Sequence, residues 1–264
     1  MAATQEARLS VLDPLLDETE LSDQLAYELF SVVDVLDGSP TLRRVVTDPS
    51  TPEEARDAFV RGLLGGKVSD PCVALVANAT RRRWSSGSTF AAALERQAVR
   101  AQLLLAERAG HLDETEDELF RFARLVESDN GLRNALSDRS VDRGFREGLV
   151  GDLLDGKVTL ATAVLAKRAV GARNRSYGHT LESYINLAAA LRDRVIATVR
   201  VARPLTDEQL QRLRAGLSRQ VGRNVGLQVI VEPDLLGGVR VELGTEVIEG
   251  TVSGRLAEAR KLFA

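Results

Sequence analysis

An internal repeat constrains this chain more than any other feature of its sequence. The tripeptide Glu28-Leu29-Phe30 recurs 90 positions later as Glu118-Leu119-Phe120, and the match extends without a gap. Two copies are too few for a solenoid, so the repeat predicts two similar domains in series. The same offset relates these further pairs: Leu42-Arg43 with Leu132-Arg133, Asp48 with Asp138, Ser50 with Ser140, Arg56 with Arg146, Leu63-Leu64 with Leu153-Leu154, Gly66-Lys67-Val68 with Gly156-Lys157-Val158, Leu75 with Leu165, and Ala79 with Ala169.

Each copy is predicted to be helical. In the second copy Phe145, Leu149 and Leu153 form an apolar stripe at helical spacing, and Gly156 stands where a left-handed C-cap would end that helix. In the first copy Thr51 is predicted to cap the matching helix, with Pro52 at its first position and Glu54 completing a capping box. Two more apolar stripes comprise Leu119, Ala123 and Val126, and Leu181, Tyr184, Ile185, Ala188 and Leu191.

The C-terminal residues follow a different period. From Val195 to Val201 apolar residues alternate as in a strand, and Pro204 ends the pattern. Thr206 and Gln209 form a second capping box, which begins a helix predicted to end at Gly222. Strands are predicted around 227–231 and 239–243, followed by a hairpin at 244–248 and a last helix near the C-terminus.

These patterns predict a mainly α chain with a small α/β module at its end. We expect two tandem helical bundles of about six helices each, because apolar stripes at helical spacing alternate with short polar breaks. The predicted domains span residues 1–95, 96–193 and 194–264. No helix breaker lies between Phe90 and Ala109, so the last helix of the first copy is expected to continue into the second copy.

Composition argues against several function classes. The formal net charge is −3 and aromatic residues make up 4%, which disfavours nucleic-acid binding through a basic field or a stacking platform. The single cysteine, Cys72, cannot form an intramolecular disulfide, so a reducing compartment is expected. No window approaches about 18 consecutive apolar residues, so we predict no membrane-spanning segment. The N-terminal residues do not have the pattern of a secretory signal peptide.

Motifs that carry chemistry are weak. The run from Gly151 to Lys157 has the spacing of a phosphate-binding loop, but Val158 stands where a hydroxyl should hold magnesium, and a helix precedes it. A helix C-terminus explains the run better. His111 and His179 lack any spacing typical of a metal site.

The helix around Leu103, Leu104 and Leu105 is more apolar than a one-sided helix requires. Two interpretations remain open. Two bundles share this helix as a common core element, or it lines a groove that receives an amphipathic helix from a partner.

A long motif runs through the C-terminal module. It reads Glu232-Pro233-Asp234-Leu235-Leu236-Gly237-Gly238-Val239-Arg240-Val241, then Gly244, then Glu246-Val247-Ile248-Glu249-Gly250-Thr251-Val252, and it closes on Leu256. Upstream, Ala202-Arg203-Pro204-Leu205-Thr206 stands at the strand-to-helix junction. The motif resembles that of the δ/OSCP family of ATP synthase subunits, roughly D-P-x-L-x-G-G, a strand, a glycine, V-I-D-G-S and a short helix with a leucine. The residues that carry the resemblance are Pro204, Leu205, Thr206, Leu236, Gly237, Gly238, Gly244, Ile248, Glu249, Gly250 and Leu256.

The chain departs from the family pattern in two ways. Glu249 and Thr251 stand where the family usually has Asp and Ser, and residues 1–94 have no counterpart in a standard member. Such an extension is similar to that of long, actinobacterial-type δ chains with a duplicated N-terminal helical domain. The glycine pair Gly237-Gly238 is expected to allow a tight turn into a strand, and Gly250 to do the same at the end of the hairpin.

The resemblance implies a non-catalytic peripheral-stalk adaptor of the F-type ATP synthase. Such a subunit joins the α3β3 catalytic head to the b stalk, so that proton-driven rotation yields ATP. It implies no cofactor, no nucleic acid and no direct membrane insertion, and a location on the cytoplasmic side of the cell membrane, held through the complex. Two other functions stay open: a helical scaffold or regulatory protein unrelated to ATP synthase, and a nucleotide-dependent enzyme that uses Lys157.

The resemblance also implies two partner contacts. We expect the N-terminal helix of an α subunit to bind a groove between two helices of the second copy. The b subunit is expected to bind the last helix of the chain. The predicted α contacts are Ala101, Leu104, Leu105, Arg108, Leu165, Ala169 and Val170, and the predicted b contacts are Leu256, Ala259 and Phe263.

Overall fold

The chain divides into two compact units, a helical one spanning residues 1–192 and a second one spanning residues 193–264. The computed structural model describes residues 9–171, 176–192, 195–222, 225–232, 238–243 and 246–251. The first unit is helical and the second contains a four-stranded sheet. The predicted mainly α fold with a small α/β module is thereby confirmed.

The helical unit opens with a 3-10 turn at Ser10–Leu12. Its α-helices are α1 (Asp13–Asp17), α2 (Asp23–Gly38), α3 (Pro40–Thr47), α4 (Glu53–Leu64), α5 (Asp70–Thr80), α6 (Gly87–Arg108), α7 (Leu112–Ser128), α8 (Asn130–Ser137), α9 (Arg143–Leu154), α10 (Leu160–Arg168) and α11 (Tyr177–Arg192). A second 3-10 turn, Ala169–Gly171, extends α10.

The sequence repeat is also a repeat of structure. Shifting α3 and α4 by 90 positions reproduces the bounds of α8 and α9, and the same shift carries the first residues of α5 and α6 onto those of α10 and α11. Left-handed glycines recur as well, at Gly66 with φ 72° and Gly156 with φ 66°. The duplication inferred from the residues is therefore a duplication of helices and of the turns between them.

Helix α6 is the central element of the helical unit. It runs without interruption from the first copy into the second, as its lack of breakers predicts, and it contains the predicted domain boundary at 95/96. Most of its side chains are buried, including Phe90, Leu94, Ala98 and Leu104. A helix that is apolar around most of its circumference lies inside a core, and one continuous hydrophobic cluster indeed includes residues from both copies.

Two local predictions in the helical unit need correction. Helix α4 begins at Glu53 after Pro52, and Thr51 makes no side-chain cap. Instead, the carbonyl of Thr51 accepts a hydrogen bond from Arg56. In α9 the predicted stripe is one position out of phase with the core, because Phe145 is 70% exposed whereas its neighbour Arg146 is buried.

The second unit is a mixed sheet with one described helix. Its strands are β1 (Val195–Val201), β2 (Val225–Val231), β3 (Gly238–Leu243) and β4 (Glu246–Thr251), and α12 (Asp207–Val221) connects β1 to β2. The strand order is β2-β1-β3-β4, with β1 parallel to β2 and antiparallel to β3, and β4 antiparallel to β3. Helix α12 begins with the predicted capping box of Thr206 and Gln209, and it ends at the left-handed Gly222. A small core lies between this helix and the sheet.

The motif residues are only partly described. Gly238 has φ 91° at the start of β3, which only glycine adopts at low cost and which matches its predicted role. Gly250 was expected at a turn but lies within β4, opposite Val239, and Ile248 and Glu249 pair in the same ladder. Outside the described residues lie Leu236, Gly237, Gly244, Leu256, Ala259 and Phe263.

Candidate partner-binding surfaces

The predicted α-subunit groove coincides with the interior of the helical unit. Five of its seven residues are no more than 5% exposed and belong to the main hydrophobic cluster: Ala101, Leu104, Leu165, Ala169 and Val170. Leu105 is half-buried and Arg108 is exposed. Without rearrangement, a docking helix could therefore contact only Leu105 and Arg108 of the predicted set.

Other apolar side chains of the second copy are open to solvent. Phe120 and Leu125 on α7, Phe145 on α9 and Leu160 at the start of α10 are at least half exposed. Single exposed apolar residues are ordinary on protein surfaces, so exposure alone assigns them no partner. Sequence reasoning missed Leu160 because a helix start in a polar loop gives no apolar periodicity.

In each copy a glutamate of the second helix accepts hydrogen bonds from a residue 41 positions later, at the start of another helix. The Glu118 carboxylate accepts hydrogen bonds from the backbone N–H of Thr159 at 2.9 Å, from its hydroxyl at 2.9 Å and from the Thr162 hydroxyl at 2.7 Å. In the first copy, Glu28 accepts from the backbone N–H of Ser69 at 3.0 Å and from the Ser69 hydroxyl. These bonds satisfy helix N-terminal donors and thereby position α10 and α5.

The pKa of Glu28 reflects this contact. Partial burial acts to raise its pKa, but the hydrogen bonds from Ser69 and Gln24 outweigh burial and leave the pKa below its usual range. The bonds therefore stabilise the ionised carboxylate.

A buried arginine stabilises the loop regions of each copy. Arg146 donates to the carbonyls of Val141 at 3.2 Å, Leu136 at 3.3 Å and Val170 at 3.3 Å. Arg56 does the same in the first copy with the carbonyls of Thr51, Asp48 and Thr80. Each guanidinium thus joins the end of one short helix, the following loop and the end of the helix that packs beside it.

The two copies meet at an ionic group that we call the Arg168 cluster, comprising Arg168, Glu95, Asp34, Arg143, Tyr184 and Phe30. Arg168 on α10 donates its Nε to Glu95 Oε1 at 2.9 Å and its Nη2 to Oε2 at 2.6 Å. The two side chains are 8% and 9% exposed. Tyr184 donates its hydroxyl to Glu95 Oε1 at 3.0 Å.

The remaining members enclose the same guanidinium. Arg168 Nη1 lies 2.8 Å from Asp34 Oδ1, and Arg143 Nη1 contacts the same oxygen at 3.1 Å. The Phe30 ring lies beneath the guanidinium, 4.7 Å from its carbon to the ring centroid. Burial acts to lower the pKa of Arg168, but Glu95 and Asp34 outweigh it and raise the pKa above its ordinary value. A cavity of about 310 Å³ borders the cluster.

The lysine and the two histidines that the sequence analysis considered for chemistry each make a hydrogen bond to a nearby group. Lys157 donates its Nζ to the Leu153 carbonyl at 3.0 Å, in a turn that follows α9. His111 contacts Glu114 at 3.1 Å, and His179 contacts Ser176 at 2.9 Å. Within the described ranges, no cluster of His, Cys, Asp and Glu could hold a metal ion. None of the helices in the described part of the chain is both long and apolar enough to cross a membrane.

Comparison with known proteins identifies the family. The model of the ATP synthase delta (OSCP) subunit family matches residues 96–263. An ATP synthase subunit delta from Streptomyces avermitilis is 45% identical over 99% of this chain and 96% of its own length. A protein of the same description from Beutenbergia cavernae is 42% identical over 100% of this chain and 100% of its own length. Another from Kineococcus radiotolerans is 43% identical over 90% of this chain and 86% of its own length.

These actinobacterial relatives align with the first copy as well as the second. The resemblance found in the C-terminal motif is confirmed, and so is the long form with its additional N-terminal helices. The chain therefore belongs to the ATP synthase delta (OSCP) subunit family.

Proposed function

We propose that this chain is the delta subunit of a rotary F-type ATP synthase and works as a peripheral-stalk adaptor without catalytic activity of its own. It joins the α3β3 head to the b stalk, so that the head does not rotate with the central rotor. The observation that carries the proposal is family membership over both units, with 45% identity to a subunit delta across 99% of this chain. It is held at the cytoplasmic face of the cell membrane through the complex.

An adaptor under torque needs contacts that dissociate slowly. Buried apolar area supplies most of the free energy in helix-in-groove contacts, and differences in affinity appear chiefly in the dissociation rate. The two compact units suit an adaptor with two ends, one for the head and one for the stalk.

The helical unit carries the proposed contact with an α-subunit N-terminal helix. Leu105 and Arg108 are the accessible residues of the proposed site. The other five predicted residues are buried in the main hydrophobic core: Ala101, Leu104, Leu165, Ala169 and Val170.

The test of this contact must avoid the core. Aspartate at Leu104 or Leu165 would place a charge in an apolar interior and unfold the unit, so the variant is Leu105→Asp combined with Arg108→Glu. We expect it to reduce binding of a synthetic peptide with the α N-terminal sequence, whereas the control Leu125→Asp binds as the parent does. Equal binding by both variants would remove Leu105 and Arg108 from the site.

The second unit carries the proposed contact with the b subunit, through Leu256, Ala259 and Phe263. Their spacing of three and four positions would put them on one face of the helix that the sequence predicts there. Truncation after residue 251 is expected to abolish capture by the C-terminal part of b while leaving α-peptide binding intact. Retained capture of b would assign that contact to another surface.

The adaptor role as a whole is tested in native membranes. After mild solubilisation, this chain should migrate with the ATP synthase, and its depletion should stop ATP synthesis while the detached head still hydrolyses ATP. Migration apart from the synthase would favour the unrelated helical scaffold. A rise in the melting temperature of the purified chain with ATP would favour the nucleotide-dependent enzyme.

A further inference from the structure

The Arg168 cluster adds an ionic contact between helices of the two copies, which also share α6 and one hydrophobic core. Asp34 and Phe30 come from α2 in the first copy, and Glu95 lies in the first-copy half of α6. Arg143, Arg168 and Tyr184 come from α9, α10 and α11 of the second copy. Two arginines contact two carboxylates, and Arg143 also pairs with Glu147 on its own helix at 2.7 Å.

The repeat counterparts of the charged residues and of Tyr184 carry other side chains. At an offset of 90, Arg168 corresponds to Asn78, Glu95 to Ile185 and Tyr184 to Leu94. Asp34 corresponds to Arg124, which reverses the charge. Each copy therefore builds the same helices with different side chains at these positions, and the cluster exists only where the two copies meet.

Stability alone does not account for such a group. Buried ion pairs gain little over apolar residues of the same volume, because desolvation offsets their attraction. The guanidinium fork, however, is directional, because it donates hydrogen bonds to carboxylates in its own plane. Helices in apolar contact can slide against each other, whereas this ionic contact favours one relative orientation of the helices. The neighbouring cavity of about 310 Å³ means that side chains do not pack tightly at this point.

We propose that the Arg168 cluster is a joint that sets the orientation of the first helical copy relative to the second. Its members are positioning residues, since they act by holding the two copies and not by touching a partner. The joint would keep surfaces on the two copies at one fixed distance while load passes through the helical unit. This role in load transfer rests on the proposed function, whereas the orientation itself is a property of the isolated chain.

Spin labels on the two copies test the joint directly. Ala58 and Gly148 are repeat counterparts, both exposed, on α4 and α9. Cysteines at these positions, in a Cys72→Ala background, carry the labels for pulsed electron paramagnetic resonance. The full chain with an intact cluster should give one narrow distance distribution.

The test variant is Glu95→Leu combined with Arg168→Met, which removes both buried charges at similar volume. We expect it to fold and to lose the single narrow peak. The matched control, Asp117→Leu with Arg121→Met, removes an exposed pair on α7 and should keep the peak. If the double variant does not fold, Glu95→Gln replaces it, since the amide keeps the volume and loses the charge.

A narrow peak at the parent distance in the folded variant would overturn the joint. A broadened peak together with parental ATP synthesis by the reconstituted synthase in vesicles would overturn the role in load transfer. Failure of the parent chain itself to assemble with the synthase would instead reject the proposed function, and the spin-label result would stand independently.

Discussion

Replacing Arg146 with Met is the sharpest test of how the second copy is held together. The Arg146 side chain is buried, at 7% exposure, and its guanidinium donates to three main-chain carbonyls, those of Val141, Leu136 and Val170. Methionine fills a similar volume without a donor. All three carbonyls therefore lose a charge-assisted hydrogen bond, which is buried for Leu136 and Val170 and partly buried for Val141.

The expected loss follows from the number and quality of these bonds. A buried acceptor left without its donor costs about 1–3 kcal/mol. The distances of 3.2–3.3 Å place each bond at the weak end of that range. Three such losses, less a small gain from burying the thioether, give a decrease of roughly 3 kcal/mol in the free energy of unfolding. For a unit of this size, that corresponds to a fall of roughly 6–12 °C in melting temperature.

Calorimetry and urea unfolding followed by circular dichroism measure the effect. Arg56→Met should cost about as much, because Arg56 makes the equivalent contacts in the first copy. Arg121→Met is the control: its side chain is 70% exposed beside Asp117, so no measurable change is expected. If Arg146→Met is as stable as the Arg121→Met control, the three carbonyls do not depend on the guanidinium, and the reasoning fails.

Three further predictions concern local features. Gly156→Ala should destabilise the chain by about 1 kcal/mol, because the φ angle of Gly156 is positive. Gly148→Ala, in the middle of a helix with open space at the Cβ position, should stabilise the chain by up to about 1 kcal/mol in denaturant titrations. A change of the same sign in both variants would contradict this reasoning. The depressed pKa of Glu28 adds stability that is present above its unfolded pKa and is lost as the pH falls through the folded value. Ser69→Ala should therefore destabilise the chain at pH 7, and its effect should disappear as the pH falls through the lowered folded pKa of Glu28. A pH-independent difference would show that this carboxylate is not responsible. Thr206→Ala should remove about 1 kcal/mol from the second unit, and amide exchange in α12 unchanged from the parent would argue against the cap.

The sequence predicted most of the secondary structure because the governing signals are local. The uninterrupted run from Phe90 predicts α6, and the pairing of Thr206 with Gln209 predicts the start of α12. A gap-free repeat transfers each prediction from one copy to the other. Thr51 failed as a cap because Pro52 took the N-cap position, with extended backbone angles, and the Thr51 carbonyl bonds to Arg56 instead.

The candidate site could be predicted only in part. An apolar helix around Leu104 is compatible with a groove or with a shared core, and periodicity cannot distinguish them. In the structure α6 packs against helices of both copies and Leu104 is only 5% exposed, as expected of a shared core element, whereas binding of a partner helix stays a prediction. The apolar stripe on α9 was also misjudged by one position, because Arg146 occupies the buried face through carbonyl contacts that no hydrophobicity pattern reveals.

The residues by themselves determined the family, the duplication and the order of the described helices and strands. These depend on contacts within a few positions or on motifs that can be compared directly. Only the tertiary structure decided which apolar residues remain accessible and how Arg168 meets Glu95 and Asp34, which lie 73 and 134 positions away. Such pairs form because the fold brings together helices that are far apart in sequence. The residues next to Arg168 in sequence do not indicate which distant side chains it will contact.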